Sequence, residues 1–158
     1  MLINRSLKHP DALLATWFGS GLFPMGPGTA GSLAAYPLAY AVAAAWGPAG
    51  LLAAAAAVFA IGLWAADAYV RATGNPDPKE VVIDEVASQM LPLAVVPFEI
   101  APWVAAFVAF RFFDILKPWP CSALDRKLHG GVGVMADDFA AGVYAALVMY
   151  GLTALGVW

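Results

Sequence analysis

The chain is short of charge, of basic runs and of cysteine, and each shortage excludes a class of protein. Only 12% of its 158 residues are charged and 62% are hydrophobic, whereas an ordinary soluble domain has about 25% charged residues. The net charge is −3 and the longest basic run is Arg126-Lys127, so no nucleic-acid partner is expected. The single cysteine, Cys121, excludes an internal disulfide and a multi-thiolate metal site.

Long uncharged stretches predict membrane helices. From Ala12 to Ala66 there is no charged side chain over 55 residues, enough for two membrane-crossing helices of about 20 residues each. Gly28–Trp46 and Leu51–Val70 are the two candidates, and the short turn at Gly47-Pro48 between them predicts an antiparallel hairpin. The last segment, Phe139–Trp158, is a third candidate.

The middle of the chain is apolar but interrupted by proline. Glu85–Phe98 contains Pro92 and Pro97, and Pro102–Leu116 follows; each is shorter than the ~20 residues of a standard span, so a kinked or partly embedded hairpin is expected. The prediction is an all-α integral membrane helical bundle with about four to five membrane-embedded helices and short interfacial helices. Residues 1–158 are expected to form a single domain.

The positions of the charges predict one functional face. If the N-terminus is cytoplasmic, the turns at residues 47–50 and 97–102 lie on the far side, and the basic residues lie near the cytoplasmic face, as the positive-inside rule requires. These basic residues are Arg5, Lys8, Arg71, Lys79, Arg111, Lys117, Arg126 and Lys127. The same topology brings together the acidic residues Asp84, Glu85, Asp114, Asp137 and Asp138.

Two acidic pairs at apolar helices favour a metal site. Asp84 and Glu85 begin one helical segment, and Asp137 and Asp138 are expected to open another after a turn at Gly130–Gly133. Buried carboxylates need a compensating cation, and oxygen ligands are what Mg²⁺ prefers. The simpler alternative for Asp84 and Glu85 is acids placed at a helix N-terminus because the helix dipole favours them there.

Three ionisable residues recur on the helix before Pro118. Arg111, Asp114 and Lys117 are spaced i, i+3 and i+6, so successive pairs share a face. They form either an ion-pair ladder, or a site in which Asp114 binds metal or acts as a base while Arg111 and Lys117 bind an anionic head group.

Other polar residues allow a structural and a functional interpretation. Thr29 and Ser32, in the glycine-rich start of the first span, either cap the helix or lie where a helix N-terminus binds phosphate. Asp67 and Arg71 are expected to neutralise each other at i, i+4. Cys121 is expected to be a passive thiol in an interfacial loop.

Five segments together resemble the phosphatidylglycerophosphatase A family. They occur in a consistent order between residues 19 and 142. They are Gly19–Pro24, Gly26–Leu33, Val82–Val86, Phe110–Pro120 and Gly130–Gly142. The resemblance implies an all-helical bundle that hydrolyses phosphatidylglycerophosphate to phosphatidylglycerol and phosphate with Mg²⁺. It also implies a multi-pass protein of the bacterial inner membrane whose active site faces the cytoplasm.

The resemblance and the residue patterns together give a set of expected roles. The family's acidic motifs map onto Asp84, Glu85, Asp114, Asp137 and Asp138, and its Gly-Thr and Lys-Pro motifs map onto Thr29 and Lys117. The expected metal ligands are Asp84, Glu85, Asp137 and Asp138. The expected catalytic residues are Asp84, Asp114, Asp137 and Lys117, and the expected substrate-binding residues are Thr29, Ser32, Arg111 and Lys117. The substrate lipid and the bilayer are the expected partners, without an obligate protein partner.

Two rival functions belong to other classes. A phosphatidyltransferase also uses carboxylate-bound metal at a membrane, but its dense acidic motif on neighbouring helix turns is missing here. A small ion transporter would use intramembrane acids as its site, and it would be expected to place them at the midplane rather than at one edge.

Overall fold

The computed structural model describes residues 6–158, and Arg5 lies outside them. Every regular element in these residues is helical, which confirms the all-α prediction. The helices are α1 (Pro10–Ala15), α2 (Pro27–Ala34), α3 (Tyr36–Thr73), α4 (Ile83–Leu93), α5 (Ile100–Leu116), α6 (Cys121–Lys127) and α7 (Gly130–Ala154), with one 3₁₀ turn at Ser20–Leu22.

Helix α3 reverses direction at Gly47. The backbone there has φ 62° and ψ −155°, a left-handed φ that glycine adopts without steric cost. A Cβ on Gly50 would lie 3.2 Å from Cγ1 of Val42, whereas eight residues of straight helix cover about 12 Å. The predicted hairpin therefore forms, with Gly47 and Pro48 at its turn.

Aromatic contacts and hydrogen bonds join the remaining helices to their neighbours. Phe59 in the second half of α3 packs against Phe139 of α7 in a tilted arrangement, with ring centroids 5.0 Å apart. Gln89 Nε2 of α4 donates to the carbonyl of Ala106 on α5 over 3.4 Å. The Tyr36 hydroxyl, at the start of α3, donates to the carbonyl of Trp103 over 2.8 Å.

Helix α4 is the centre of the bundle, and small residues let its neighbours approach. Ile83, Val86 and Met90 are fully buried on it. A Cβ on Gly142 of α7 would lie 2.7 Å from the carbonyl oxygen of Ser88, so only glycine permits this contact between α7 and α4. Close backbone approach at small residues is typical of helices that associate in lipid.

Two helical stretches are long and apolar enough to cross a membrane by length and composition. They are Pro27–Thr73, with 47 residues, and Gly130–Ala154, with 25 residues. The first reverses direction at Gly47, so it consists of two antiparallel segments. Helix α4, with 11 residues, and α5, with 17 residues, are shorter than the ~20 residues of a full span.

The predicted turn at Gly130–Gly133 is wrong. Helix α7 begins at Gly130, so Asp137 and Asp138 lie about two turns inside it instead of opening it. A Cβ on Gly131 would lie 2.6 Å from the backbone nitrogen of Asp67, and one on Gly133 would lie 2.5 Å from the carbonyl oxygen of Leu128. Gly131 and Gly133 therefore lie in a helix and permit close contacts with neighbouring backbone. A glycine-rich turn would have the same sequence pattern.

The two ends of the bundle differ in polarity. The start of α4, the end of α5 and the start of α7 meet at one end, which we call the carboxylate end. At the opposite end, the Thr153 hydroxyl of α7 donates to the carbonyl of Val95, beyond α4, over 3.2 Å. The turn at residues 97–102 follows Val95, so its predicted separation from the acidic residues agrees with the fold.

Candidate active site

A cavity of about 540 Å³ opens at the carboxylate end. It is bounded by the first residues of α2, the loop before α4, the start of α4, the end of α5, and parts of α6 and α7. Seven carboxylates line it against three basic side chains. The acids are Asp77, Asp84, Glu85, Asp114, Asp125, Asp137 and Asp138, and the bases are Lys79, Arg111 and Lys117.

Three of the carboxylates form a buried cluster, which we call the acidic trio: Asp84, Glu85 and Asp138. One oxygen from each lies within 4.8 Å of the others, and Asp84 and Asp138 are 6% and 5% exposed. Within residues 6–158, Asp84 Oδ1 and Glu85 Oε2 have no hydrogen-bond partner. Orphaned buried oxygens in an all-oxygen donor set fit a hard divalent cation such as Mg²⁺.

The electrostatics of the trio also favour a bound cation. Burial raises the pKa of Asp84 well above its usual range, and the neighbouring charges of Glu85 and Asp138 raise that pKa further. The ionised form of Asp84 is therefore unfavourable while the protein alone surrounds it. A cation placed among the three carboxylates reverses this penalty.

Helix packing explains why these three residues meet. Asp84 and Glu85 lie in the first turn of α4. Helix α7 runs parallel to α4 here, because Gly142 contacts Ser88 and each lies four residues beyond a member of the trio. One turn back along both helices, Asp138 faces Asp84.

Arg111 and the start of α2 border the trio. The Arg111 guanidinium forms an ion pair with Asp114, and both side chains are largely buried. A Cβ on Gly28 would lie 2.5 Å from Glu85 Oε1 and 3.1 Å from Arg111 Nη1, so this first turn of α2 approaches both residues only as glycine. The N–H groups of a first helical turn have no acceptor within the helix, and they bind anions readily.

Lys117 is held between two other acids. It follows the last residue of α5 in a left-handed conformation with φ 45° and ψ 61°, which is uncommon for a residue with a Cβ. Its Nζ donates to Asp125 Oδ1 over 3.0 Å and to Asp137 Oδ2 over 2.8 Å. Partial burial acts to lower the pKa of Lys117, but the hydrogen bonds to Asp137 and Asp125 outweigh it and raise the net pKa. Lys117 is therefore cationic at neutral pH.

Comparison with known proteins decides the family. Residues 13–153 match the family model described as Phosphatidylglycerophosphatase A. The chain belongs to the phosphatidylglycerophosphatase A family. The resemblance read from the five sequence segments is thereby confirmed.

Curated relatives of this family cover nearly the whole chain. The phosphatidylglycerophosphatase A of Escherichia coli K12 is 40% identical over 146 residues, which are 91% of this chain and 84% of that protein. The phosphatidylglycerophosphatase A of Haemophilus influenzae is 39% identical over 148 residues, 93% of this chain and 91% of that protein. A Bacteroides thetaiotaomicron protein provisionally named phosphatidylinositol-3-phosphatase is 40% identical over 157 residues, 90% of this chain and 95% of that protein. No solved structure matches the chain significantly.

The structure brings most of the predicted site residues together, in a different grouping. Of the four acids predicted as metal ligands, Asp84, Glu85 and Asp138 form the trio, whereas Asp137 pairs with Lys117. The predicted ladder on α5 forms only in its first half. Arg111 pairs with Asp114, but Lys117 turns to acids of α6 and α7.

The two predicted hydroxyl ligands do not line the cavity. Thr29 is exposed on the outside of α2. Ser32 is buried, and its hydroxyl donates to the carbonyl of Gly28 over 2.9 Å. The capping alternative is also wrong, because Gly26 is the N-cap of α2 and no side chain caps that helix. This segment lines the cavity at Gly26, Pro27 and Gly28.

Of two further predictions for polar residues, one is confirmed and the other is wrong. Asp67 and Arg71 form the predicted ion pair at 2.7 Å. Cys121 begins α6 instead of lying in a loop, and it is buried against Phe110 and Ala141.

Sequence reasoning missed Asp125 and His129 of the cavity lining, together with a role for Asp77 and Lys79. Asp125 precedes Arg126 and Lys127 in a polar stretch, where a lone acid gives no signal. The loop from Asn75 to Lys79 carried a weak signal, because it is the one polar interruption between the second and third apolar segments.

Proposed function

We propose that this protein is a Mg²⁺-dependent lipid phosphatase that hydrolyses phosphatidylglycerophosphate to phosphatidylglycerol and inorganic phosphate in phosphatidylglycerol synthesis. The observation that carries the proposal is the acidic trio beside two cationic side chains. Within residues 6–158, the buried Asp84 Oδ1 and Glu85 Oε2 of this trio have no hydrogen-bond partner. The names of two relatives, each about 40% identical, support the same reaction.

Asp84, Glu85 and Asp138 are the residues that would hold Mg²⁺. Bound there, the ion would supply Lewis-acid polarisation of the phosphomonoester and charge neutralisation. Asp137 was expected as a fourth ligand, and its contact with Lys117 supports a different role. We assign to Asp137 the orientation of the Lys117 ammonium, because its Oδ2 accepts from Nζ at 2.8 Å.

Arg111, Lys117 and the first turn of α2 would bind the phosphoryl oxygens. Charge-assisted hydrogen bonds from Arg and Lys, together with free backbone N–H groups, are the usual means of stabilising a transferring phosphoryl group. Thr29 lies in that first turn, so it would contribute to phosphate binding through its backbone N–H and not through its hydroxyl. Ser32 would support the turn through its hydrogen bond to Gly28.

Asp114 is our candidate for handling the proton of the attacking water. It forms an ion pair with Arg111 and lines the same cavity as the acidic trio. In the overall reaction, the bond from phosphorus to the glycerol oxygen breaks and water supplies the oxygen that replaces it. A proton returns to the glycerol oxygen.

We further propose that residues 1–158 form one membrane-embedded domain with several passes through the bacterial inner membrane and the cavity facing the cytoplasm. Lys79, Arg111 and Lys117 line the cavity, and Arg126 and Lys127 lie in the last turn of α6 beside it. These positions support the orientation because the positive-inside rule requires basic residues at a cytoplasmic face. The acyl chains of the substrate would remain in lipid while its phosphomonoester enters the cavity.

The test is phosphate release by purified protein in detergent, with Mg²⁺ or with EDTA. Phosphatidylglycerophosphate is expected to be the preferred substrate over phosphatidic acid and over phosphatidylinositol 3-phosphate, the last chosen because of the Bacteroides relative's name. Chelation is expected to abolish the reaction. Preference for the inositol lipid would replace the proposed substrate, and flux of an ion into liposomes without phosphate release would favour a transporter.

A matched pair of variants makes this test specific to the trio. Asp84→Asn is expected to abolish Mg²⁺-dependent phosphate release. Glu99→Gln changes an exposed carboxylate at the opposite end of the bundle and is expected to retain full activity.

A further inference from the structure

One face of α5 is apolar and exposed along the whole helix. Its side chains recur every three or four residues, so they form a single stripe. Their exposures range from 56% at Phe112 to 85% at Ile100. We call this face the α5 stripe, and it consists of Ile100, Val104, Val108, Phe112, Ile115 and Leu116.

Ile115 belongs both to the α5 stripe and to the cavity. It is 73% exposed and it lines the cavity. Among the exposed large apolar side chains within residues 6–158, Ile115 is the only one that does so. The polar interior of the cavity and the apolar outer surface therefore meet at this residue.

The stripe has the length and chemistry that an acyl chain requires. Helix α5 has 17 residues and is about 25 Å long, whereas one leaflet of the bilayer's hydrocarbon core is about 15 Å thick. A lipid whose head group reaches the acidic trio must keep its chains against apolar surface, since exposing them to water is strongly unfavourable. Arg111, one helical turn before Ile115, provides a cation for the head group beside this rim.

We propose that the diacyl lipid substrate enters the cavity sideways at Ile115, with its acyl chains along the half of the α5 stripe nearer the cavity, from Val108 to Leu116. The inference rests on the proposed lipid phosphatase activity and adds the route and the surface by which the lipid is recognised. The head group passes over Ile115 into the cavity, and the chains stay on the outer face of α5.

The test compares Ile115→Asn with Ile100→Asn. Both residues are exposed members of the same stripe, so neither substitution removes core packing. Ile100 lies about 22 Å from Ile115 along α5, farther than the ~15 Å of one leaflet, so it is outside the half of the stripe that the acyl chains are proposed to contact. Phosphate release is measured with long-chain phosphatidylglycerophosphate in mixed micelles and with a water-soluble dihexanoyl analogue. Ile115→Asn is expected to lower kcat/KM for the long-chain lipid about tenfold, the effect of one lost apolar contact, and to leave the short-chain substrate within about twofold.

Each other outcome has a definite meaning. Equal losses on both substrates would overturn the proposal, because Ile115 would then act on the head group. Unchanged long-chain hydrolysis by Ile115→Asn, or an equal loss in Ile100→Asn, would overturn it as well. If the unmodified protein releases phosphate from neither substrate, the proposed function itself fails. Ile115→Leu is expected to retain long-chain activity.

Discussion

Two neighbouring residues of α7, Asp137 and Asp138, have their charges balanced in different ways. Asp137 accepts a hydrogen bond from Lys117, which Asp125 shares. Asp138 faces Asp84 and Glu85, all three acidic. Successive residues of a helix point about 100° apart, so Asp137 reaches the Lys117 ammonium whereas Asp138 reaches a group of acids that could hold a metal ion. We therefore propose that cation binding and phosphate binding lie side by side at this end of α7.

Loss of a trio member is expected to have the largest effect. Asp84→Asn or Asp138→Asn should lower phosphate release about a thousandfold or more, since a metal ion contributes several kcal/mol to stabilising transition-state charge. Both variants should also lose the Mg²⁺-dependent rise in Tm that a bound ligand gives. Asp137→Asn is the control, and it should keep that Mg²⁺-dependent rise. Loss of the rise in Asp137→Asn would restore Asp137 to the metal ligands and break the distinction.

Removing the Lys117 ammonium, which Asp137 and Asp125 bind, should have the next largest effect. Lys117→Met is expected to lower kcat about a hundredfold, because Lys117 would stabilise charge on the phosphoryl oxygens. Its Mg²⁺-dependent Tm shift should be unchanged. Steady-state kinetics with phosphatidylglycerophosphate measures the loss, and Lys117→Arg should recover part of it. Full activity of Lys117→Met would show that the Lys117 ammonium serves structure only.

Asp125→Asn tests the second acidic partner of Lys117 and is expected to have a smaller effect than the loss of Lys117 itself. Asp125 shares the Lys117 ammonium at 3.0 Å but is more exposed than Asp137. A loss of about tenfold or less in kcat/KM is expected, because exposed ion pairs contribute about 0–1 kcal/mol. Asp125→Glu should be nearer to the unmodified protein. Asp137→Asn removes the more buried partner of Lys117 and is expected to lose more activity than Asp125→Asn. An equal loss in the two variants would contradict this expectation.

Gly28→Ala tests the contact between α2 and the trio. The new Cβ would lie 2.5 Å from Glu85 Oε1, so an activity loss of about tenfold is expected, since overpacking costs about 1–3 kcal/mol. Gly151→Ala is the matched control, because a Cβ there meets nothing within 4 Å. That control should keep its activity and gain slightly in Tm, since alanine favours a helix over glycine. Equal activity of both variants would show that α2 can move away without consequence.

The hydroxyl variants should have the smallest effects. Thr29→Ala removes an exposed side chain outside the cavity lining, and Ser32→Ala removes a hydroxyl that bonds within its own helix. Each is expected to stay within about threefold of normal kcat/KM, the effect of about half a kcal/mol. A tenfold loss on Thr29→Ala would return the hydroxyl to the phosphate site that the sequence predicted.

Much of the fold could be predicted from apolar runs and from proline and glycine. The hairpin at Gly47, the antiparallel α4 and α5, and the separation of the acids from the turn at residues 97–102 all follow from the sequence pattern. The pattern was wrong at Gly130–Gly133, because glycine that permits a close helix contact has the same composition as glycine in a turn. The two cases differ only in the folded protein, where the backbone of Asp67 lies against Gly131.

The sequence by itself determined the family, the all-helical class and the set of acidic and basic residues at the site. These depend on residue types and their order along the chain. The tertiary structure alone decided how the acids divide between Lys117 and the acidic trio, that Asp125 takes part, and that Ile115 joins the cavity to the apolar surface. The physical reason is that these groupings depend on the rotation of α4, α5 and α7 about their axes. That rotation is fixed by packing at Gly28, Gly131 and Gly142, not by the spacing of the residues within any one helix.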